Sequence, residues 1–141
     1  MNEPVSLTIG KLARLAARLF DRNLAGYGLR TSEFRFIGYM MEKGPVSHKD
    51  LQEEFRMTRA TVSGLVSRLM AEGLVEAAAS ESDRRQWILT LSDKGRDLFS
   101  HAIGGIRKLD ERIADALTED EIEEFSRIGE KLIGLYEEEL C

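Results

Sequence analysis

The sequence predicts a mainly α-helical fold interrupted once by a small two-stranded β-hairpin, and three observations carry that expectation. Apolar residues recur at i, i+3 and i+4 through most of the chain. The run Trp87-Ile88-Leu89-Thr90-Leu91 instead alternates with the period of two of a half-buried strand. Ser or Thr followed by acids, and glycines placed between the periodic runs, mark where helices begin and end.

The first helix covers roughly Leu7 to Ala25, with Ile9, Leu12, Leu15, Ala16, Leu19 and Phe20 on one stripe and Gly26-Tyr27-Gly28 closing it. A second is expected from the cap Thr31-Ser32-Glu33, carrying Phe34, Ile37, Met40 and Met41 to a stop at Gly44-Pro45. Ser47 then caps a short helix, His48 to Phe55, with Leu51 and Phe55 facing inward. After Arg56-Met57, Thr58 caps a helix whose core stripe is Val62, Leu65, Val66, Leu69 and Met70, and Glu72-Gly73 ends it. Leu74 to Ala79 and Gln86 to Leu91 read as antiparallel strands joined by the polar tip Ser80 to Arg85. Ser92 caps a long helix with Leu98, Ala102, Ile103, Ile106, Leu109 and Ile113 buried. Thr118-Glu-Asp-Glu121 fits a capping box for a last helix carrying Ile122, Phe125, Leu132 and Leu135.

Composition narrows the function classes. A chain of 141 residues with 43% hydrophobic and 32% charged residues buries a real core without staples. The one cysteine, Cys141, is terminal, so neither an intrachain disulfide nor a cysteine-rich metal site can form, and a reducing compartment fits. The N-terminus lacks a basic stretch followed by an apolar block and no run is long enough to span a bilayer, so a cytoplasmic, membrane-free protein is expected. Net charge is −5, but nine acids against two bases between Thr118 and Cys141 leave −7 there and +2 for the rest. It is the local field that meets a phosphate backbone. No paired nucleophile and base, phosphate-cradling glycine loop, metal set or cofactor motif is evident, so no enzyme activity and no cofactor are expected.

The order helix, turn, capped helix, strand, charged tip, strand is a winged helix-turn-helix. The capped helix carries Arg59, Thr61, Ser63, Ser67 and Arg68 opposite its core stripe, with no acid among them: either a solvated face or a surface suited to phosphates and base edges, and the second reading is the one taken. Thr58 caps that helix and can also offer its free amides to a phosphate; Ser47, His48 and Lys49 can do so at the preceding helix. Asp83 can merely hold the turn of the wing, or orient a tip whose arginines meet DNA. The first helix and the last two carry apolar stripes longer than the middle region can cover. They form either an intramolecular bundle or, as preferred here, a two-fold dimer.

Taken together, Leu51, the Thr58-to-Leu69 helix, Gly73-Leu74-Val75, Asp83-Arg84-Arg85 and Leu89-Thr90-Leu91-Ser92-Asp93-Lys94-Gly95 resemble the MarR family of bacterial transcriptional regulators over nearly the whole chain. The resemblance implies residues 31–95 as a winged helix-turn-helix DNA-binding domain and residues 1–30 and 96–141 as a helical dimerisation region. It implies a homodimeric regulator, a repressor, on double-stranded DNA with a pseudo-palindromic operator. Arg85 matches the family's wing arginine, which enters the minor groove, with Arg84 on phosphate and Asp83 orienting both. Relatives often bind small aromatic or anionic effectors in a cleft between dimer helices and winged region, to which Phe34, Phe36, Tyr39 and Met40 could contribute, although any one of them more often simply fills core. The family's metal and thiol sensors have no counterpart, since only His48, His101 and Cys141 are available. Two departures stand out: Gly64, where relatives often carry a polar or basic residue, and Val75 to Ala79, poor in β-branched residues. The rival reading is a protein-interaction module built on the same fold.

Overall fold

Glycine and serine chemistry sets the element boundaries in the computed structural model, which describes residues 3–83 and 85–141. Helix α1 spans Val5–Ala25 and α2 Thr31–Lys43. The α2 N-cap is Arg30, with no side-chain cap among the described residues. Thr31 lies inside the helix, and its hydroxyl donates to the Asp21 carboxylate, so the expected Thr31 cap is replaced by a tie back to α1. A two-residue strand β1, Val46–Ser47, follows, then α3 (His48–Phe55) and α4 (Arg59–Ala71). Ser47 and Asp50 form a complete capping box on α3, and Thr58 Oγ accepts from the Thr61 amide at 3.2 Å to cap α4. The turn between them places Arg56 at φ 51, a left-handed conformation uncommon outside glycine.

Strands β2 (Val75–Ala79) and β3 (Trp87–Leu91) form the expected hairpin, in register Val75 with Leu91 and Ala79 with Trp87. The sheet has a third strand that the sequence did not announce. β1 pairs antiparallel with β3, Val46 with Leu89 and Ser47 with Ile88, giving the order β1-β3-β2. Two residues are too short a run to show period-two alternation, and the preceding Pro45 reads as a helix stop only. The consequence is functional: β1 ties the N-terminus of α3 to the base of the wing.

Helix α5 spans Asp93–Ala116 and α6 Glu119–Leu140, the latter opened by the expected Thr118–Glu121 capping box. Two compact units are distinguished, Met1–Gly105 and Ile106–Cys141. The core of the first is built from Leu24, Leu29, Phe36, Ile37, Met40, Val46, Leu51, Val62, Val66, Leu69, Leu74 and Leu89. Met70, placed in that core by periodicity, is 43% exposed at the end of α4. In the second unit no α6 residue is buried; Phe125, Ile133, Leu135 and Tyr136 all face outward.

The exit of the wing is fixed by three neighbours. Ser92 Oγ donates to the Gly73 carbonyl at 2.5 Å and accepts from the Gly95 amide at 3.0 Å, while Lys94 Nζ caps the C-terminus of α4 at the Glu72 carbonyl, 2.8 Å away. A Cβ on Gly95 would collide with the Leu74 carbonyl oxygen. The Ser92-Asp93-Lys94-Gly95 run therefore locks α4, the wing and α5 together.

Candidate nucleic-acid interface

The N-terminus of α3, the first turns of α4 and the base of the wing enclose an open cavity of about 550 Å³. Ser47, His48, Lys49 and Gln52 line it from α3, Arg59 and Ser63 from α4, and Arg85, Gln86 and Trp87 from the wing. Arg59 and Ser63 share it because they are four residues apart on one helix face. Among these lining residues there is no carboxylate, while His48, Lys49, Arg59 and Arg85 are basic. Such a concave, acid-free cationic surface concentrates phosphate.

Local chemistry sets each side chain. Lys49 lies 3.9 Å from Glu53 one turn on, with both side chains largely exposed, a contact that solvent screens and a phosphate could displace. His48 is held below its ordinary imidazole pKa of 6.5, first by burial and then by the charge of Arg59. The Thr58 hydroxyl also lies 2.9 Å from that of Thr61, so Thr61 is part of the cap system. Ser67 is exposed one further turn along the face of Arg59 and Ser63. At the wing tip the Asp83 carboxylate accepts from the Arg85 amide at 3.0 Å, and Ser80 Oγ receives the Asp83 amide at 3.4 Å. Asp83 thus shapes the turn that carries Arg85. Arg84 lies outside the described residues.

Two groups of expected site residues sit elsewhere. Arg68, grouped by periodicity with the open face of α4, reaches α2: its guanidinium is 3.5 Å from Glu33, a carboxylate only 1% exposed, which Arg30 also approaches at 3.9 Å. The buried charge draws the long arginine off the groove side, and nothing in helical spacing announces that. Of the four effector candidates, Phe36 and Met40 are 0% and 3% exposed and belong to the core. Phe34 is 9% exposed, stacked on Phe99 at 5.1 Å and edge-on to Phe20 at 5.8 Å. Tyr39 packs edge-on to Phe55 at 5.7 Å. Phe34, Phe36 and Met40 are thus buried, and Tyr39 is half-buried. Sequence reasoning had passed over Gln52, Gln86 and Trp87; the signal for Trp87 was a bulky aromatic at the far end of an alternating strand, beyond the core it points toward. Among the described residues no cluster of His, Cys, Asp and Glu is suited to a metal ion, and no helix is long and apolar enough to cross a membrane.

Comparison with known proteins bears on this geometry. A model of the MarR family matches residues 27–86, from just after α1 to the residue before β3, a span that contains the cavity-lining residues other than Trp87. That segment carries the MarR-family pattern. The HTH-type transcriptional regulator BilQ of Clostridium symbiosum is 27% identical over 114 residues, covering 81% of this chain and 79% of the relative. In fold, a mutant of S. aureus MepR superposes with a TM-score of 0.85 at 17% identity, covering 95% of this chain and 99% of that one. Another MepR mutant, bound to an oligodeoxyribonucleotide, superposes at 0.70, also at 17% identity, over 96% and 99% of the two chains. Bordetella bronchiseptica BpsR, whose DNA binding is regulated by 6-hydroxynicotinic acid, superposes at 0.74 and 21% identity over 92% and 93%. The winged helix-turn-helix runs from α2 to β3, with three strands in its sheet.

Proposed function

We propose that this protein is a homodimeric, sequence-specific DNA-binding transcriptional regulator, a repressor released by a small aromatic or anionic effector. The observation that carries the reading is the acid-free cationic cavity between α3, α4 and the wing. Each α4 enters a major groove, Arg59, Ser63 and Ser67 facing base edges, while Ser47, His48, Lys49 and Thr58 hold phosphates and Arg85 enters the adjacent minor groove. Arg84 is assigned to phosphate on the family pattern. Arg68 serves by fixing α4 to α2 through Glu33. The fold shared with oligonucleotide-bound MepR supports this placement.

Dimerisation rests on uncovered apolar stripes. On α1, Leu12 and Leu15 are each 51% exposed; on α6, Phe125 and Leu140 are 59% and 87% exposed. Burying them against a second copy removes apolar surface that a monomer would leave in water. Residues 1–30 and 96–141 are accordingly assigned to dimerisation and 31–95 to DNA. A two-fold pair would read half-sites about 10 base pairs apart centre to centre, or a multiple of that. The effector reading leans on BpsR and on a cavity of about 510 Å³ lined by Ala16, Ala17, Phe20, Asp21 and Thr31, adjoining Phe34 through Phe20.

Selection of bound fragments from genomic DNA, followed by affinity measurement on the selected duplex with and without aromatic acids, tests the whole reading. A selected duplex bound far more tightly than scrambled sequence, and released by one of the acids, is the expected result. Equal binding of selected and scrambled duplexes removes sequence-specific regulation, and indifference to every acid removes the effector.

A further inference from the structure

Trp87 is the one tryptophan in the chain, and it is 56% exposed. It lies on the same face of β3 as Leu89 and Leu91, which are 0% and 8% exposed, so the strand aims all three toward the helices. Leu89 and Leu91 find core there. Trp87 sits beyond it, at the end of the ladder opposite Ala79, and its ring instead forms a wall of the cationic cavity. Because β1 pairs Ser47 with Ile88, the next residues along the two chains are His48 and Trp87, both of which line that cavity. Among the described residues nothing fully covers this large apolar ring beside His48, Lys49 and Arg85.

We propose that Trp87 is a DNA-contacting residue that packs its indole against the deoxyribose of a backbone segment whose phosphates are held by His48 and Lys49, beside the minor groove that Arg85 enters. This rests on the DNA-binding reading above. Charge complementarity selects the occupant: the cavity lining joins several bases to no acid, and a nucleic-acid backbone alternates phosphate with an apolar sugar face at the spacing of neighbouring side chains. A sugar contact carries no sequence information, so Trp87 adds affinity to every duplex and leaves base preference to α4. Because the contact is uncharged, it releases no counterions.

The experiment is a titration of the full-length protein with a mixed-sequence duplex in dilute buffer, following duplex anisotropy and Trp87 fluorescence together. The expected result is that the emission shifts and becomes shielded from acrylamide as the duplex binds. Trp87→Ala then weakens mixed-sequence binding roughly tenfold by losing apolar burial, Trp87→Phe recovers most of it, and the salt slope of both equals that of the unaltered protein. Arg85→Ala by contrast reduces the slope by about one per chain. If the duplex binds while Trp87 stays fully quenchable, or Trp87→Ala binds as well as the unaltered protein, the proposal is overturned and the DNA reading survives. Absence of any anisotropy change overturns both.

Discussion

The salt bridge between Arg68 and Glu33 shows how one buried charge redirects a residue that sequence spacing places elsewhere. Among the described residues, Oε2 of Glu33 is a buried atom with no hydrogen-bond partner, so the carboxylate depends on the arginines facing its other oxygen. Arg68→Ala is therefore expected to destabilise the fold by about 1–3 kcal/mol in urea unfolding, and to weaken binding of all duplexes alike rather than alter base preference. Gly64 makes the opposite case. It is exposed on α4 and a Cβ there would have nothing within 4 Å, so Gly64→Ala should raise stability by up to about 1 kcal/mol. His48 supplies a pH dependence. Its pKa lies below 6.5 in the folded chain, through burial and then Arg59, so the unfolded state takes up the proton first and this contribution to stability is lost as pH falls from about 6.5 through the lower folded-state pKa. A bound phosphate offsets Arg59 and favours the imidazolium, so DNA affinity should strengthen as pH falls through the same window. Replacing His48 by Asn should flatten that profile, and an unchanged profile would show that His48 takes no part.

At the scale of elements, the wing and its exit were legible in the sequence because their chemistry is local. The Ser47–Asp50 and Thr118–Glu121 boxes, the Thr58 cap and the β2–β3 hairpin all follow from residues a few positions apart. Strand β1 was not, since two residues carry no periodicity, and its pairing with β3 is a contact between segments some forty residues apart. The Thr31 cap was misplaced for a similar reason: its hydroxyl is claimed by Asp21 on α1. The Ser92-to-Gly95 junction, read from sequence as a simple cap, proves to be a three-way lock. Gly95→Ala pushes a methyl into the Leu74 carbonyl and should cost about 1–3 kcal/mol, read as a lower urea midpoint. If the lock orients the wing, a milder Lys94→Ala should reduce duplex affinity while leaving the helical circular dichroism intact.

For the whole molecule, the sequence marked the apolar stripes of α1 and α6, and large apolar residues of both, Leu12 and Leu15 on the one and Phe125 and Leu135 on the other, are exposed. The core role weighed for the effector candidates holds for Phe34, Phe36 and Met40, which are buried, while Tyr39 is half-buried against Phe55. Dimerisation and DNA binding belong together at this scale. Leu15→Glu should shift the protein toward monomer in sedimentation equilibrium and lower duplex affinity with it. Lys49, Arg59, Arg84 and Arg85 are the cations placed on DNA, four per chain and eight per pair, so log affinity should fall with log salt at a slope of about −7. The most direct test is a salt series of duplex binding by the full-length protein with the stoichiometry measured at each step. Two chains per duplex with that steep slope is the result expected; a single chain that ignores duplex in dilute buffer, or binding that salt barely changes, contradicts the account.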